Sequence, residues 1–226
     1  VASLFQLIQK KNVIVMVCVS LLCCACAPDL SGVLTIAPTP APGTMIYQDD
    51  FENPDSGWNV WNEESGSNVA YRDGGLRFFI NEPQYDYWSR PGKRMDDVLI
   101  EVDAAKLSGP DDNDFGIICR FRDRDNFYAF LISSDGYGGI LKVKDGNYEM
   151  ISAPTMQYQE IIRRGVAGNH LAAACIGPAL TFFVNDERIL SASDTDHTSG
   201  EFGLMVGSYM TPGVDVFFDN FKVFRP

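Results

Sequence analysis

The chain has 226 residues, room for one ordinary domain and a leader, and its 46% hydrophobic content supplies a core and excludes global disorder. Its formal net charge of -12 opposes phosphate backbones, so nucleic acid is not expected as a partner. That charge suits an extracellular domain, or one that binds cations or neutral sugars. Aromatics reach 12%, with 15 Phe and 9 Tyr, side chains that favour half-buried pleated surfaces and so lean the composition toward sheet.

Residues 1–26 read as a lipoprotein-type signal peptide. Lys10 and Lys11 precede an apolar run from Val13 to Leu22, shorter than the ~20 residues that span a bilayer as a helix. The stretch Leu22-Cys23-Cys24-Ala25-Cys26 resembles a bacterial lipobox, which places lipidation on Cys26, with Cys24 as the alternative. An ordinary cleaved signal or an uncleaved short anchor is the other reading. Acyl chains on one cysteine hold a membrane stably, since each buried methylene contributes ~0.8 kcal/mol. Cys23 and Cys26 have C-x-x-C spacing, but they lie inside the apolar leader without a second ligand pair, so a metal is not expected there.

Residues 27–44 form a Pro-rich linker. Pro38, Pro40 and Pro42 alternate, which predicts an extended spacer.

Residues 45–226 read as one β-rich domain. Asp73-Gly74, Asp145-Gly146 and Asn185-Asp186 each separate two runs of β-formers and predict two-residue hairpins. Further strands are predicted at 98–105, 115–121, 127–132, 171–176, 202–208 and 214–224. Residues 157–164 make a short helix or turn at most. Many short strands with regular turns predict an antiparallel sandwich or barrel. Alternation assigns Phe115, Ile117, Cys119 and Phe121 to the core, with Gly116, Ile118 and Arg120 opposite. It likewise turns Ile100, Val102 and Ala104 inward, leaving Glu101 and Asp103 outside, and turns Leu141 and Val143 inward with Lys142 outside. Cys119 and Cys175 are the cysteines beyond the leader. In an oxidising compartment they are expected to form a disulfide; two buried free thiols are the alternative.

Several segments carry a family likeness. Asp49-Asp50-Phe51-Glu52-Asn53-Pro54-Asp55-Ser56-Gly57-Trp58 resembles the first strand of concanavalin A-like (LamG-type) sandwiches. So do Asp114 to Phe121 followed by Asn126-Phe127-Tyr128, then Thr181 to Asp186, and Phe218 to Val223. The resemblance implies an antiparallel two-sheet jelly-roll sandwich, in a superfamily of lectins, laminarinase-type hydrolases and the 3-keto-disaccharide hydrolase domain family. One fold hosts many functions, so the chemistry must come from the residues.

Laminarinase-type enzymes carry Glu-x-Asp-x-(x)-Glu on one strand. Here Glu101-Val102-Asp103-Ala104-Ala105-Lys106 lacks the final acid, which argues against that activity. His170 and His197 are the only histidines, both read as surface residues, and no nucleophile elbow is present. Structural calcium has two candidate places: the acidic run Asp111-Asp112-Asn113-Asp114, and Asp50 with Asp219, where the resemblance implies that first and last strands meet around an ion. Sugar binding needs an aromatic platform with planar polar groups. Trp88 beside Asp86 supplies one candidate, and the loop of Asp135 and Tyr137 another. Asn113, Arg120 and Lys142, with the Glu101–Asp103 pair, are candidates to complete a ligand-binding sheet face. Trp58 reads as core. The sequence thus points to a non-catalytic, surface-anchored module for a glycan or another cell-surface ligand, held to the membrane by its N-terminal lipid and needing no cofactor. A glycoside-acting hydrolase and a structural or protein-interaction module are the alternatives.

Overall fold

The computed structural model describes residues 43–226; the leader, Cys24, Cys26 and nearly all of the linker lie outside the described residues. The described residues form seventeen strands in two antiparallel sheets, with no helix.

Sheet A holds β1 (Met45–Asp49), β2 (Trp61–Asn62), β3 (Asn68–Arg72), β4 (Gly75–Ile80), β7 (Val98–Ser108), β13 (Gly168–Ile176), β14 (Ala179–Val184), β15 (Glu187–Ser193) and β17 (Val214–Phe224). Its order is β15-β14-β13-β7-β17-β4-β3-β2, with β1 also on β17. Sheet B holds β5 (Tyr85–Ser89), β6 (Arg94–Met95), β8 (Asn113–Asp123), β9 (Asn126–Ile132), β10 (Tyr137–Lys144), β11 (Asn147–Met150), β12 (Gln157–Tyr158) and β16 (Gly200–Ser208). Its order is β11-β10-β9-β8-β16-β5, with β12 on β10 and β6 on β16.

The predicted hairpins form because their turn residues accept left-handed backbone. Asp73 and Gly74 have φ of 57° and 77°, Asp145 and Gly146 51° and 75°, Asn185 and Asp186 49° and 69°. Residues 157–164 are strand β12 and a turn closed by Ile162 N–H to the Gln159 carbonyl at 3.1 Å.

The core lies between the sheets. Sheet A contributes Ile100, Val102, Leu171, Ala173, Phe182, Val216 and Phe218; sheet B contributes Phe115, Ile117, Tyr128, Phe130, Ile140, Leu204 and Val206. Trp58 is core as expected, its indole N–H reaching Asp49 Oδ2 at 3.0 Å. A disulfide joins Cys119 on β8 to Cys175 on β13, so it ties sheet B to sheet A through the core.

Two facing assignments are corrected. Arg120 takes φ of 52°, and the register of β8 shifts against both neighbours there. This bulge reverses the alternation, so Phe121 leaves the inner core and joins Ile118 in a second cluster on the outer face of sheet B. On β10, Ile140 is the inward residue, while Leu141 and Val143 belong to that outer cluster with Phe127, Ala129, Leu131 and Met205. Both faces of sheet B are apolar in this region, so alternation alone does not distinguish them.

Candidate functional site

On β5, Tyr85-Asp86-Tyr87-Trp88 alternates between faces. Tyr87 turns toward the core and packs on Trp61, ring centroids 4.3 Å apart. Asp86 and Trp88 therefore stand on the outer face. Trp88 packs on the second cluster, 5.8 Å from the ring of Phe121 and 6.1 Å from that of Phe127.

The register of β16 then brings in a second carboxylate. Gly207 is opposite Asp86 on β5 and opposite Asp114 on β8. A Cβ at Gly207 would meet Asp114 Oδ1 at 2.3 Å and Asp86 Oδ1 at 2.5 Å, so the two oxygens lean over the glycine and lie less than about 5 Å apart. A glycine within a strand often marks such a close approach. Asp114 Oδ2 accepts the Tyr209 hydroxyl at 2.9 Å, while its Oδ1 is buried without a partner.

The electrostatics follow from this geometry. Burial pushes the Asp114 carboxyl up, and the Asp86 charge beside it pushes further, against the Tyr209 bond and the nearby Gly207 backbone N–H. Burial also raises Asp86. Two carboxylates so placed disfavour double ionisation, so the pair titrates as a unit. The Tyr148 hydroxyl on β11 is raised by burial and then by Asp86, Asp125 and Asp114, so this strand lies within electrostatic reach of the pair. The outer face of sheet B thus presents an acid pair beside an indole, with Tyr209 and Tyr148 around it.

The residues expected from sequence are dispersed. Trp88 belongs to this site. Tyr137 stands 41% exposed, edge-on to Tyr158 at 5.7 Å, and Asp135 is exposed and accepts the Ser133 hydroxyl. Asn113, Arg120 and Lys142 do not line a ligand face, because the fold uses their polar groups. The buried Asn113 amide donates to the Pro110 carbonyl at 2.7 Å and accepts the Ser134 N–H at 3.1 Å. Arg120, 2% exposed, donates to the Asp96 carbonyl, the His197 carbonyl and Asp97 Oδ1 at 3.0, 2.9 and 3.0 Å. Lys142 is held by Asp194, Asp196 and Glu149 at 2.9, 3.1 and 3.1 Å. His197 is buried rather than superficial, its Nε2–H donating to the Val143 carbonyl at 2.8 Å.

Glu101 and Asp103 lie on sheet A instead. Glu101 lines a hollow of about 220 Å³ with His170 and Asp186. Asp103 lines a neighbouring one of about 350 Å³ with Arg163, His170 and Asp219, and bonds His170 Nδ1 at 2.8 Å and the Asn220 amide at 2.9 Å. Asp50 lines a third hollow of about 410 Å³ with Asn53, Ser56 and Lys222, so Asp50 and Asp219 do not share one. Among the described residues, no three His, Cys, Asp or Glu side chains gather into a set that would hold a metal. The acidic run also disperses: Asp111 pairs with Lys106, Asn113 is buried, and Asp114 joins Asp86.

Sequence reasoning missed the pairing of Asp86 with Asp114 across Gly207. The available signals were the alternation that put Asp86 beside Trp88, and the glycine inside the predicted strand 202–208.

The two antiparallel sheets form an all-β jelly-roll sandwich, and solved structures agree. The carbohydrate-binding module CBM66 from Bacillus subtilis aligns with a TM-score of 0.60 at 17% identity, covering 74% of this chain and 95% of that one. A Bacillus subtilis protein of unknown function with a galectin-like fold aligns at 0.60 and 11% identity, covering 82% and 97%. A Bacillus licheniformis β-glucanase aligns at 0.58 and 13% identity, covering 81% and 99%. At these identities the likeness establishes the fold alone. No protein-family model matches the chain, and no curated protein matches it by sequence.

Proposed function

We propose that this chain binds carbohydrate on the outer face of sheet B, with the ligand stacked on Trp88 and its polar groups held by Asp86 and Asp114. The observation that carries this reading is a buried carboxylate oxygen without a partner, beside a second carboxylate and an indole on one face. An unmade bond at a buried acceptor costs about 1–3 kcal/mol, which a ligand donor recovers. Pyranose rings present apolar C–H faces to aromatics and hydroxyl donors to carboxylates. Structural neighbours that include a carbohydrate-binding module support the same class of ligand. A broad glycan array probed with the full chain tests this: selective binding lost in Trp88→Ala and Asp86→Asn supports it, and a blank array with folded protein overturns it.

The acid pair favours one second reading, hydrolysis of a glycosidic bond, including 3-keto-disaccharide substrates. That chemistry needs two carboxyl groups about 5–5.5 Å apart for retention, one of them protonated as the acid. Release of reducing ends that Asp114→Asn abolishes would establish it. We place the domain outside the cytoplasm on a lipid at Cys26. Loss of radiolabelled palmitate in Cys26→Ala would support that site, and retained label would move it to Cys24.

A further inference from the structure

The acid pair has more acceptor capacity than a neutral sugar uses. Among the described residues neither Asp86 nor Asp114 makes an ion pair. The charged or titratable groups acting on the pair are Asp112, Tyr209 and Tyr148, all acidic or phenolic. A sugar hydroxyl offers a single proton and leaves two carboxylates facing each other.

A proton shared by the pair relieves that repulsion at low pH, and where both groups are ionised two kinds of cation would relieve it. Calcium takes six to eight oxygen ligands. Two carboxylates and a tyrosine hydroxyl supply only part of that shell, the rest falling to water and backbone carbonyls, and among the described residues no third acidic side chain converges there. An ammonium group needs less. It carries three N–H donors and one positive charge, enough for Asp86 Oδ1 and the unpartnered Asp114 Oδ1 together. The bare backbone at Gly207 leaves the two oxygens free to approach one donor. Aromatic faces such as that of Trp88 also attract cations.

We infer that this face selects a sugar bearing a free amine, a glucosamine-type unit whose ammonium sits between Asp86 and Asp114 while its ring stacks on Trp88. This rests on the carbohydrate reading of the same face.

Isothermal titration of the full chain near neutral pH separates the outcomes. The probes are the β-1,4-linked glucosamine tetramer, its N-acetylated counterpart and cellotetraose. The free-amine tetramer is expected to bind about ten- to hundred-fold more tightly than the other two, as a charge-assisted hydrogen bond would give. That advantage should shrink as salt rises. Asp114→Asn should remove it and level the three affinities. Asp86→Asn should do the same, and because Asp86 is partly exposed this variant serves if the other does not fold. Equal binding of all three tetramers by the unaltered chain overturns the amine preference and leaves the carbohydrate reading standing. Binding of none overturns both. Calcium that raises the melting temperature of the unaltered chain but not of Asp86→Asn makes the pair a metal site, which also overturns the inference.

Discussion

The Cys119–Cys175 bridge closes a segment with a sequence separation of 56 and joins the two sheets. Its stabilisation is calculable from loop length alone. On the chain-entropy model a loop of this size removes about 14 cal/mol/K from the unfolded ensemble, or about 4 kcal/mol at 25 °C. A domain of this size moves about 2–4 °C in Tm per kcal/mol, so losing the bridge should lower Tm by roughly 8–16 °C. Urea unfolding of oxidised and reduced protein isolates the effect, because the two forms differ only by the covalent link. The reduced form should also show a larger m-value, since its unfolded chain exposes more surface. Cys119→Ala/Cys175→Ala should fall about 1–2 kcal/mol below the reduced protein, because it also removes two fully buried sulfurs from the core. A difference between oxidised and reduced forms of less than about 1 kcal/mol would refute the reasoning. It would mean that the unfolded chain already holds these segments together, or that the bridge imposes strain equal to its entropic benefit.

The acid pair sets a pH dependence with a definite sign. Its carboxyls move from the ordinary 3.8 up to about 6 for Asp86 and about 7 for Asp114, so over that window the folded state binds more protons. Stability should fall as pH rises from about 4 to about 7 and flatten above, and the slope should be shallower in Asp114→Asn when Tm is scanned against pH. At neutral pH, Asp114→Asn should melt higher than the unaltered chain while binding ligand more weakly; a lower melting point would show the carboxylate to be a structural requirement. Gly207→Ala places a Cβ 2.3 Å and 2.5 Å from the two carboxylate oxygens, so it should destabilise by about 1–3 kcal/mol and weaken glycan binding, read by calorimetry and titration. Arg120→Ala strips three donors from a buried network and should cost about 3 kcal/mol in urea unfolding without touching the ligand face; unchanged stability would contradict the role given to this side chain.

The parts of the fold legible in the sequence are those set by local conformation. Asp73-Gly74, Asp145-Gly146 and Asn185-Asp186 announce hairpins because the backbone there must turn left-handed, and few other residues accept it. The disulfide was legible because two cysteines stand on predicted apolar strands. Facing failed where a local irregularity changed the count. Arg120 looks like an ordinary outward residue of an alternating strand, yet its left-handed backbone carries Phe121 to the opposite face. On β10, Ile140 and Leu141 are equally apolar, and only the neighbouring strand decides which is inner. The site failed for a related reason. Asp86 and Asp114 are far apart in sequence and meet only through the register of β16 between them. Nothing local specifies that register, but Gly207 is its trace, a residue without a side chain where two carboxylates need room.

That placement works against the fold. A buried acceptor without a donor costs about 1–3 kcal/mol, and a second carboxylate beside it adds repulsion. Asn113 uses its amide fully, and the Arg120 guanidinium reaches two carbonyls and a carboxylate, whereas Arg90 Nε, His197 Nδ1 and Arg225 Nε share with Asp114 Oδ1 the lack of a partner. A sequence able to do that for a guanidinium is able to replace Asp114 with Asn and keep the Tyr209 bond. A proton relieves the pair at low pH; at neutral pH the proposed ligand would supply the missing donor instead. Under the proposed function, the stability given up at Asp114 is recovered when a ligand supplies the missing donor.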